Sequence, residues 1–266
     1  MNPSMKRFIG LLALIALLIA CNTGSKKNNP CSEQGKHHVF HKLLKAHVKK
    51  GLVDYARFNR PDLDKYLVTI ANGKVDQMDR KGQLAFYINA YNAILIKQVL
   101  RVYDSVKDNP KGVLSIPKFF DQKNYSVAGQ KISLNHLENK IIRPRFKEPR
   151  VHFALVCGAL GCPILFSEAH TKDNLETLLN KGASRYLRSK AGLQIDDAKK
   201  ILRISQIFEW YKDDFGEKDT KAKKTYVKGE FTGVRTFISG YRKDIKDKVI
   251  GYEIQFIPYN WRLNRQ

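Results

Sequence analysis

One short stretch, HFALVCGALGCPIL, holds several of the residue types in this chain that could do chemistry. It begins with His152 in an apolar run and continues to two cysteines, Cys157 and Cys162, among glycines. A thiolate that is activated by a neighbouring histidine can attack an amide or ester carbonyl. Gly158 and Gly161 would let backbone N–H groups approach a developing oxyanion. A thiol-dependent hydrolase or acyl transferase is therefore one candidate.

A carboxylate that could orient the histidine lies in the segment before this stretch. Ser133 is a suitable N-cap for a helix through LNHLENKIIR, and Pro144 is expected to end that helix. Glu138 lies inside the helix. A histidine in an apolar run must find a polar partner, and Glu138 is a candidate partner for His152.

The distance between His152 and Cys157 is an obstacle to catalysis. Val151 to Val156 is a nearly continuous apolar and β-prone run, which predicts an interior strand. In a strand that rises about 3.3 Å per residue, the two Cα atoms would lie roughly 16 Å apart, with their side chains on opposite faces. Either the strand bends before Cys157, or Cys162 approaches His152 instead, or these residues do not act together.

The two cysteines have more than one interpretation. An exported protein meets an oxidising compartment, and the flexible residues between Cys157 and Cys162 would let them form a disulfide. A free reactive thiol is an equally open alternative. Zinc binding is the weakest interpretation, because the spacing exceeds the usual two to four residues and no second pair of ligands follows. Nucleotide and metalloprotease motifs are missing from the sequence, and we expect neither a metal nor a cofactor.

Two amides lie within the strongest predicted helix of the chain, KGQLAFYINAYNAILIKQVLRVY. This helix is apolar nearly all round, which is typical of a buried helix. Asn89 and Asn92 are three residues apart and share one face. Buried amides need hydrogen-bond partners, so these two either brace neighbouring backbone or face a pocket.

The N-terminus predicts export. Lys6 and Arg7 precede an apolar stretch from Phe8 to Ala20, and the sequence LIAC closes it at Cys21. This pattern is typical of a lipoprotein signal peptide over residues 1–20, with acylation of Cys21 after cleavage. An ordinary signal peptide that happens to end in cysteine is the alternative. The protein is therefore expected to be an exported lipoprotein of a bacterial cell envelope, attached to a membrane through Cys21.

Residues 21–36 are polar and predict a flexible tether, followed by one domain over residues 37–266. The formal net charge is +23 and the pI is near 9.8, but the basic residues are dispersed. Dispersed charge is typical of a solvated surface, and attraction to anionic lipid or acidic glycans is the alternative. We expect no nucleic acid as a partner, and an unidentified envelope substrate or ligand.

Other segments alternate between helix and strand. YSVAGQKIS predicts a hairpin with its turn at Ala128 and Gly129. A helix follows Thr171, a strand ends at Ser205, and a last strand covers Tyr252 to Pro258. Strands that are interspersed irregularly with helices predict an α+β single domain, with a mostly antiparallel sheet packed against helices.

Five blocks of the sequence resemble one family in order and in register. They are AFYINAYNAILIK, ISLNHLENKIIRP, RVHFALVCGALGCPIL, ISQIFEWYKDDFG and FIPYNWRLN. Together they resemble the proteins of domain-of-unknown-function family 547, from about Gln83 to Leu263. The resemblance implies a papain-like cysteine hydrolase, in which Glu138, His152 and Cys157 would form the catalytic set. This chain has Asn139 where the family often has histidine.

Two classes of function therefore remain open. In the first, a lipid-anchored cysteine hydrolase or acyl transferase cleaves an amide or ester in the envelope. In the second, a pocket floored by Asn89 and Asn92 and closed by GALGCP binds a ligand or partner without turnover. The second class includes a structural disulfide between Cys157 and Cys162.

Overall fold

The structure is a computed structural model that describes residues 37–217 and 223–266. The predicted signal peptide at residues 1–20, the lipidation site at Cys21 and the tether at residues 21–36 lie outside the described residues. Within the described part of the chain, no helix is long and apolar enough to cross a membrane.

Helices form most of the first part of the domain. They are α1 (His38–His47), α2 (Arg60–Ala71) and α3 (Arg80–Val106), and a small hairpin of β1 (Val48–Lys49) and β2 (Leu52–Val53) separates the first two. Asp79 caps α3 by accepting a hydrogen bond from the Gly82 N–H. Most of the residues of α3 are buried on all sides, which confirms the prediction from its apolar composition.

The predicted hairpin is confirmed. β3 (Tyr125–Val127) pairs antiparallel with β4 (Gln130–Ile132). Ala128 and Gly129 form the turn, with φ angles of +47° and +82°. A tight two-residue turn of this kind needs positive φ at both positions, which explains the glycine.

The helix after the hairpin does not end at Pro144, contrary to the sequence prediction. Ser133 caps α4 (Leu134–His136), a π-helical stretch follows at Leu137–Ile142, and α5 (Arg143–Phe146) continues beyond the proline. Pro144 lies in the first turn of α5, where a missing N–H is tolerated. The wide π-helical turn therefore lets the helical path continue through the proline.

The predicted strand at Val151–Val156 was wrong. Pro149–Phe153 forms a 3₁₀-helix instead, and the side chain of Glu148 caps its first turn. The backbone that follows pairs with the side-chain amide of Asn92 rather than with a neighbouring strand. Because this segment is not extended, the distance argument that separated His152 from Cys157 does not apply.

The second part of the domain combines a sheet with helices. The sheet has the order β5 (Leu193–Asp196), β6 (Ile201–Ser205), β8 (Glu253–Ile257) and β7 (Thr225–Tyr226). Only the β6–β8 pair is parallel within this sheet. The accompanying helices are α6 (Leu175–Leu187), α7 (Ile207–Trp210), α8 (Thr232–Tyr241) and α9 (Lys246–Gly251). The α+β prediction is confirmed.

The apolar residues pack into two clusters that meet at the 3₁₀-helix. One cluster surrounds α3, and the other lies between the sheet, α6 and α8. Val151 belongs to the first cluster and Phe153 to the second. His152, between them, therefore lies at the boundary of the two cores.

Candidate functional site

A cavity of about 390 Å³ opens at this boundary. Its wall contains Glu138, His152, Cys157 and Cys162, so the structure brings together four of the residues selected from the sequence. A volume of this size is suited to a small molecule. Polar side chains and aromatic rings share the lining.

Cys157 and Cys162 form a disulfide in the wall of the cavity, with their Cα atoms 6.2 Å apart. The Cys157 N–H also donates to the Cys162 sulfur at 3.0 Å. The Tyr259 hydroxyl lies 3.4 Å from the Cys157 sulfur. No free cysteine remains in the described part of the chain, so of the two open alternatives the structure contains the disulfide.

The C-terminal segment holds the loop between the cysteines in place. Leu160 N–H donates to the carbonyl of Arg262, and Gly161 N–H donates to the carbonyl of Asn260, each at 2.8 Å. A Cβ atom at position 161 would approach the Asn260 nitrogen to 2.9 Å, which explains the glycine. Because the Gly161 N–H is already bonded, it is not available to an oxyanion, contrary to the expectation from the sequence.

His152 lies between two carboxylates. Its Nε2 atom is 2.7 Å from Oδ2 of Asp214, and its Nδ1 atom is 3.9 Å from Oε1 of Glu138. The ring stacks on Tyr211 with 3.9 Å between centroids. Among the described residues, no hydrogen bond joins His152 to Cys157, although both side chains line the cavity. The predicted contact with Glu138 is present, but the shorter contact is with Asp214.

Asp214 is a site residue that the sequence interpretation missed. Burial alone would raise the pKa of this carboxyl, but hydrogen bonds from His152 and Arg143 outweigh burial and lower the pKa to about 2. Arg143 donates from Nε to Asp214 at 2.6 Å and from Nη1 to Asn139 at 2.6 Å. Asp214 is therefore ionised at neutral pH and accepts a hydrogen bond from the Nε2–H group of His152. Asn139 serves here to hold the guanidinium of Arg143.

Glu138 lies in the π-helical stretch and is 7% exposed. The Tyr91 hydroxyl donates to its Oε2 atom at 3.2 Å. Burial first, and then the carboxylate of Glu138, raise the pKa of Tyr91 and of Tyr211 well above the ordinary value of tyrosine. Both phenols therefore remain protonated at neutral pH and can act as donors.

The structure places Asn89 and Asn92 beneath the segments that form the cavity rather than in its wall. Asn89 donates to the carbonyl of His170 at 2.7 Å and accepts from its N–H at 2.9 Å. Asn92 makes the same pair of bonds to Ala154 and Val156. Each amide donates one hydrogen bond to the backbone and accepts one from it, so of the two sequence interpretations the structure has the bracing one, and neither residue floors the pocket.

Three aromatic rings at the cavity, Trp210, Tyr259 and Trp261, contact one another with centroids 4.8 to 5.9 Å apart. Trp210 is 44% exposed, which is unusual for so large an apolar side chain. Trp210 and Trp261 are the only two tryptophans of the chain. The sequence blocks contained both, but without a chemical motif to mark them.

The lining of the cavity is acidic although the chain as a whole is basic. Asp121 and Glu138 line it, and no lysine or arginine does among the described residues. The formal net charge of the whole chain is +23. Within the same described ranges, no group of three or more His, Cys, Asp or Glu side chains is arranged to hold a metal ion.

The model of the family described as protein of unknown function, DUF547, matches residues 75–187. This segment includes the first three of the five sequence blocks, and the resemblance to the family is confirmed over it. The segment supplies Glu138, His152 and both cysteines. Asp214 and the aromatic rim of the cavity, which consists of Trp210, Tyr259 and Trp261, lie outside it. No curated protein and no solved structure matches the chain.

Proposed function

We propose that the protein is a lipid-anchored binding protein of the bacterial cell envelope, whose cavity holds a small ligand without turnover. The observation that carries this proposal is the disulfide between Cys157 and Cys162 in the cavity wall. A sulfur in a disulfide is not a thiolate, and only the thiolate is the nucleophile of cysteine enzymes. The disulfide instead closes the loop that forms part of the wall.

The environment of His152 supports the same function. A general base must present a free ring nitrogen to the proton that it removes. Here both nitrogens face carboxylates, at 2.7 Å and 3.9 Å. The ring is buried, stacked on Tyr211 and held by Asp214 through Nε2, so it is fixed in the wall of the cavity.

Location in the envelope is part of the proposal. Structural disulfides persist in oxidising compartments and are rare in the reducing cytosol. The disulfide is thus compatible with the export signal over residues 1–20 and with acylation of Cys21. Labelling cells with radioactive palmitate, and repeating this with a Cys21→Ser variant, tests the anchor. Incorporation that does not depend on Cys21 would contradict it.

Alkylation of the purified protein tests the binding function against catalysis. Without reductant, we expect Cys157 and Cys162 to resist a thiol reagent at all pH values from 5 to 9, as mapped by peptide mass spectrometry. Glutathione in a parallel mixture is the control for reagent activity. Rapid modification of Cys157 before any reduction would contradict the proposal.

A papain-like cysteine hydrolase or acyl transferase, acting on an amide or ester, is the second candidate. It is favoured by one observation: Glu138, His152 and Cys157 line the same cavity. This function requires reduction of the disulfide and rotation of His152 toward the sulfur. It predicts that reduced Cys157 alkylates below the pH of an ordinary thiol, and that His152→Ala abolishes this reactivity, whereas His136→Ala does not.

A further inference from the structure

We infer that the cavity at the boundary of the two cores binds an organic cation, a ligand with an ammonium group on a small apolar body. The inference rests on the proposed binding function and names the class of ligand. It follows from two independent features of the wall, its aromatic faces and the sign of its charge.

Aromatic rings form much of the cavity wall. The rings are Tyr91, Phe120, Trp210, Tyr211, Tyr259 and Trp261. The ring of Tyr211 already contacts His152 and the guanidinium of Arg143, so the inference rests on the other five rings. The face of an aromatic ring carries negative electrostatic potential and attracts cations, most strongly for tryptophan, and cages of such rings recognise quaternary ammonium groups. Burial raises the pKa of Tyr259 well above its ordinary value, so its ring stays a neutral phenol.

The carboxylates of Glu138 and Asp121 make the cavity negatively charged. Glu138 lies in the wall with one oxygen bonded to Tyr91, and Asp121 lies on the more exposed side. The guanidinium of Arg143 is nearby, but it does not line the cavity, and its charge is paired with Asp214. In a low-dielectric cavity a carboxylate acts over several ångströms on a bound cation.

The contrast with the rest of the molecule strengthens the argument. A chain with a formal net charge of +23 is expected to place basic side chains in most of its surface depressions. Two other depressions fit that expectation: one is lined by Arg235, Lys243 and Lys246, and another by Lys107, Arg262 and Arg265 together with Asp108. The aromatic cavity is lined by acidic groups instead, so it would favour a cation over an anion.

Intrinsic fluorescence tests the inference directly, since both tryptophans of the chain line the cavity. The full-length protein, kept oxidised in a non-ionic detergent, is titrated with choline and with its neutral isostere 3,3-dimethylbutan-1-ol. We expect choline to bind about tenfold more tightly, because only the charged ligand gains from the rings and the carboxylates. Acetate is expected not to bind.

Variants identify the groups responsible. Glu138→Gln keeps the shape of the side chain and the acceptor for Tyr91. It should weaken choline binding about tenfold, while the affinity for the neutral isostere should change by less than about twofold. Glu209→Gln is the matched control, since Glu209 is next to Trp210 but does not line the cavity. Asp121→Asn, at an exposed position, should weaken choline binding about threefold, and it tests the inference even if Glu138→Gln fails to fold.

Further ligands show whether the bound cation is a peptide side chain or a free quaternary ammonium compound. Tighter binding of Nα-acetyl-lysine methylamide than of choline would assign the site to a peptide side chain, and the reverse would assign it to a free quaternary ammonium compound. Either result supports the inference. Equal binding of choline and its isostere, or binding of N-acetylglucosamine alone, would overturn the inference and leave the binding function intact. If none of these ligands binds and reduced Cys157 shows reactivity that depends on His152, both proposals fail.

Discussion

His152 and His170 are both 3% exposed, but their surroundings differ completely. His152 lies between the carboxylates of Glu138 and Asp214 at the edge of a cavity. His170 has no hydrogen-bond partner for its Nε2 atom among the described residues. Burial, together with the nearby His37, lowers the pKa of His170 to about 3. The first histidine connects charged groups at a site, whereas the second is a neutral part of the core.

The comparison separates two uses of buried polarity in one domain. Around His170, the polar groups satisfy the backbone, as Asn89 does through two hydrogen bonds. Around His152, ionisable groups contact one another and face open space. Ionisable partners and a position at a cavity therefore make His152, rather than His170, the candidate site residue.

The largest expected effect is a loss of stability when the hydrogen bonds to the backbone of His170 are removed. Asn89→Ala would leave the buried N–H and carbonyl of His170 without partners, and we expect the free energy of unfolding to fall by about 4 kcal/mol. Asn139→Ala, in the cavity wall, is expected to cost less than about 1 kcal/mol because its surroundings are more accessible to water. Urea denaturation of both variants measures the difference. Equal losses would remove the distinction between the two regions.

Acid should destabilise the protein through His170. The unfolded chain binds a proton near the ordinary pKa of 6.5, while the folded chain binds it only near 3. Stability is therefore complete above about pH 6.5 and falls as the pH decreases toward 3, by about 3 kcal/mol between pH 7 and pH 4. Urea denaturation of His170→Gln at both pH values should lack this component. The same result from His136→Gln, an exposed control, would contradict the assignment.

Asp214 should contribute less than His170 to the pH dependence of stability, because a quarter of its side chain is exposed. Its pKa is lowered to about 2, so its contribution is present above about pH 4 and is lost as the pH falls through 2. We expect Asp214→Asn to lower the free energy of unfolding at pH 7 by about 1–2 kcal/mol. The neighbouring Asp213→Asn is the control in thermal and urea denaturation, and a loss of equal size there would contradict the prediction.

Reduction of the disulfide should lower stability by no more than Asp214→Asn does. The loop between Cys157 and Cys162 is short, so its closure constrains the unfolded chain little, and we expect a loss of about 1–2 kcal/mol. The tryptophan fluorescence should change as well, because Tyr259 contacts both the disulfide and Trp210. A Cys157→Ser, Cys162→Ser double variant should not respond to reductant. A response of equal size in that variant would show that the reductant acts elsewhere.

Local pattern predicted the elements with strong periodicity or clear turn residues. The apolar composition of α3 predicted a buried helix, and the alanine and glycine at 128 and 129 predicted the hairpin. The run at Val151–Val156 was misassigned because a short apolar run is compatible both with a buried strand and with a buried helical turn. Its backbone found partners in a side chain of α3, which no local pattern reveals.

The candidate site was predictable only in its chemically marked residues. Histidine, cysteine and glutamate draw attention by type, and the structure places His152, Cys157 and Glu138 around one cavity. Asp214 and the aromatic rim lie far along the chain from these residues and reach the site through the packing of the second core against the first. Nothing in their spacing indicated this meeting.

By itself, the sequence determined the class of fold, the buried helix, the hairpin and which side chains could do chemistry. These properties depend on composition and on residues that are close in the chain, so propensity and periodicity can predict them. Only the tertiary structure decided that the cysteines are paired, that His152 contacts Asp214, and that aromatic rings and carboxylates share a wall. The cysteine pair closes a short loop that the C-terminal segment holds in place. The other two relations join residues far apart in the chain, which come into contact when two apolar cores pack against each other.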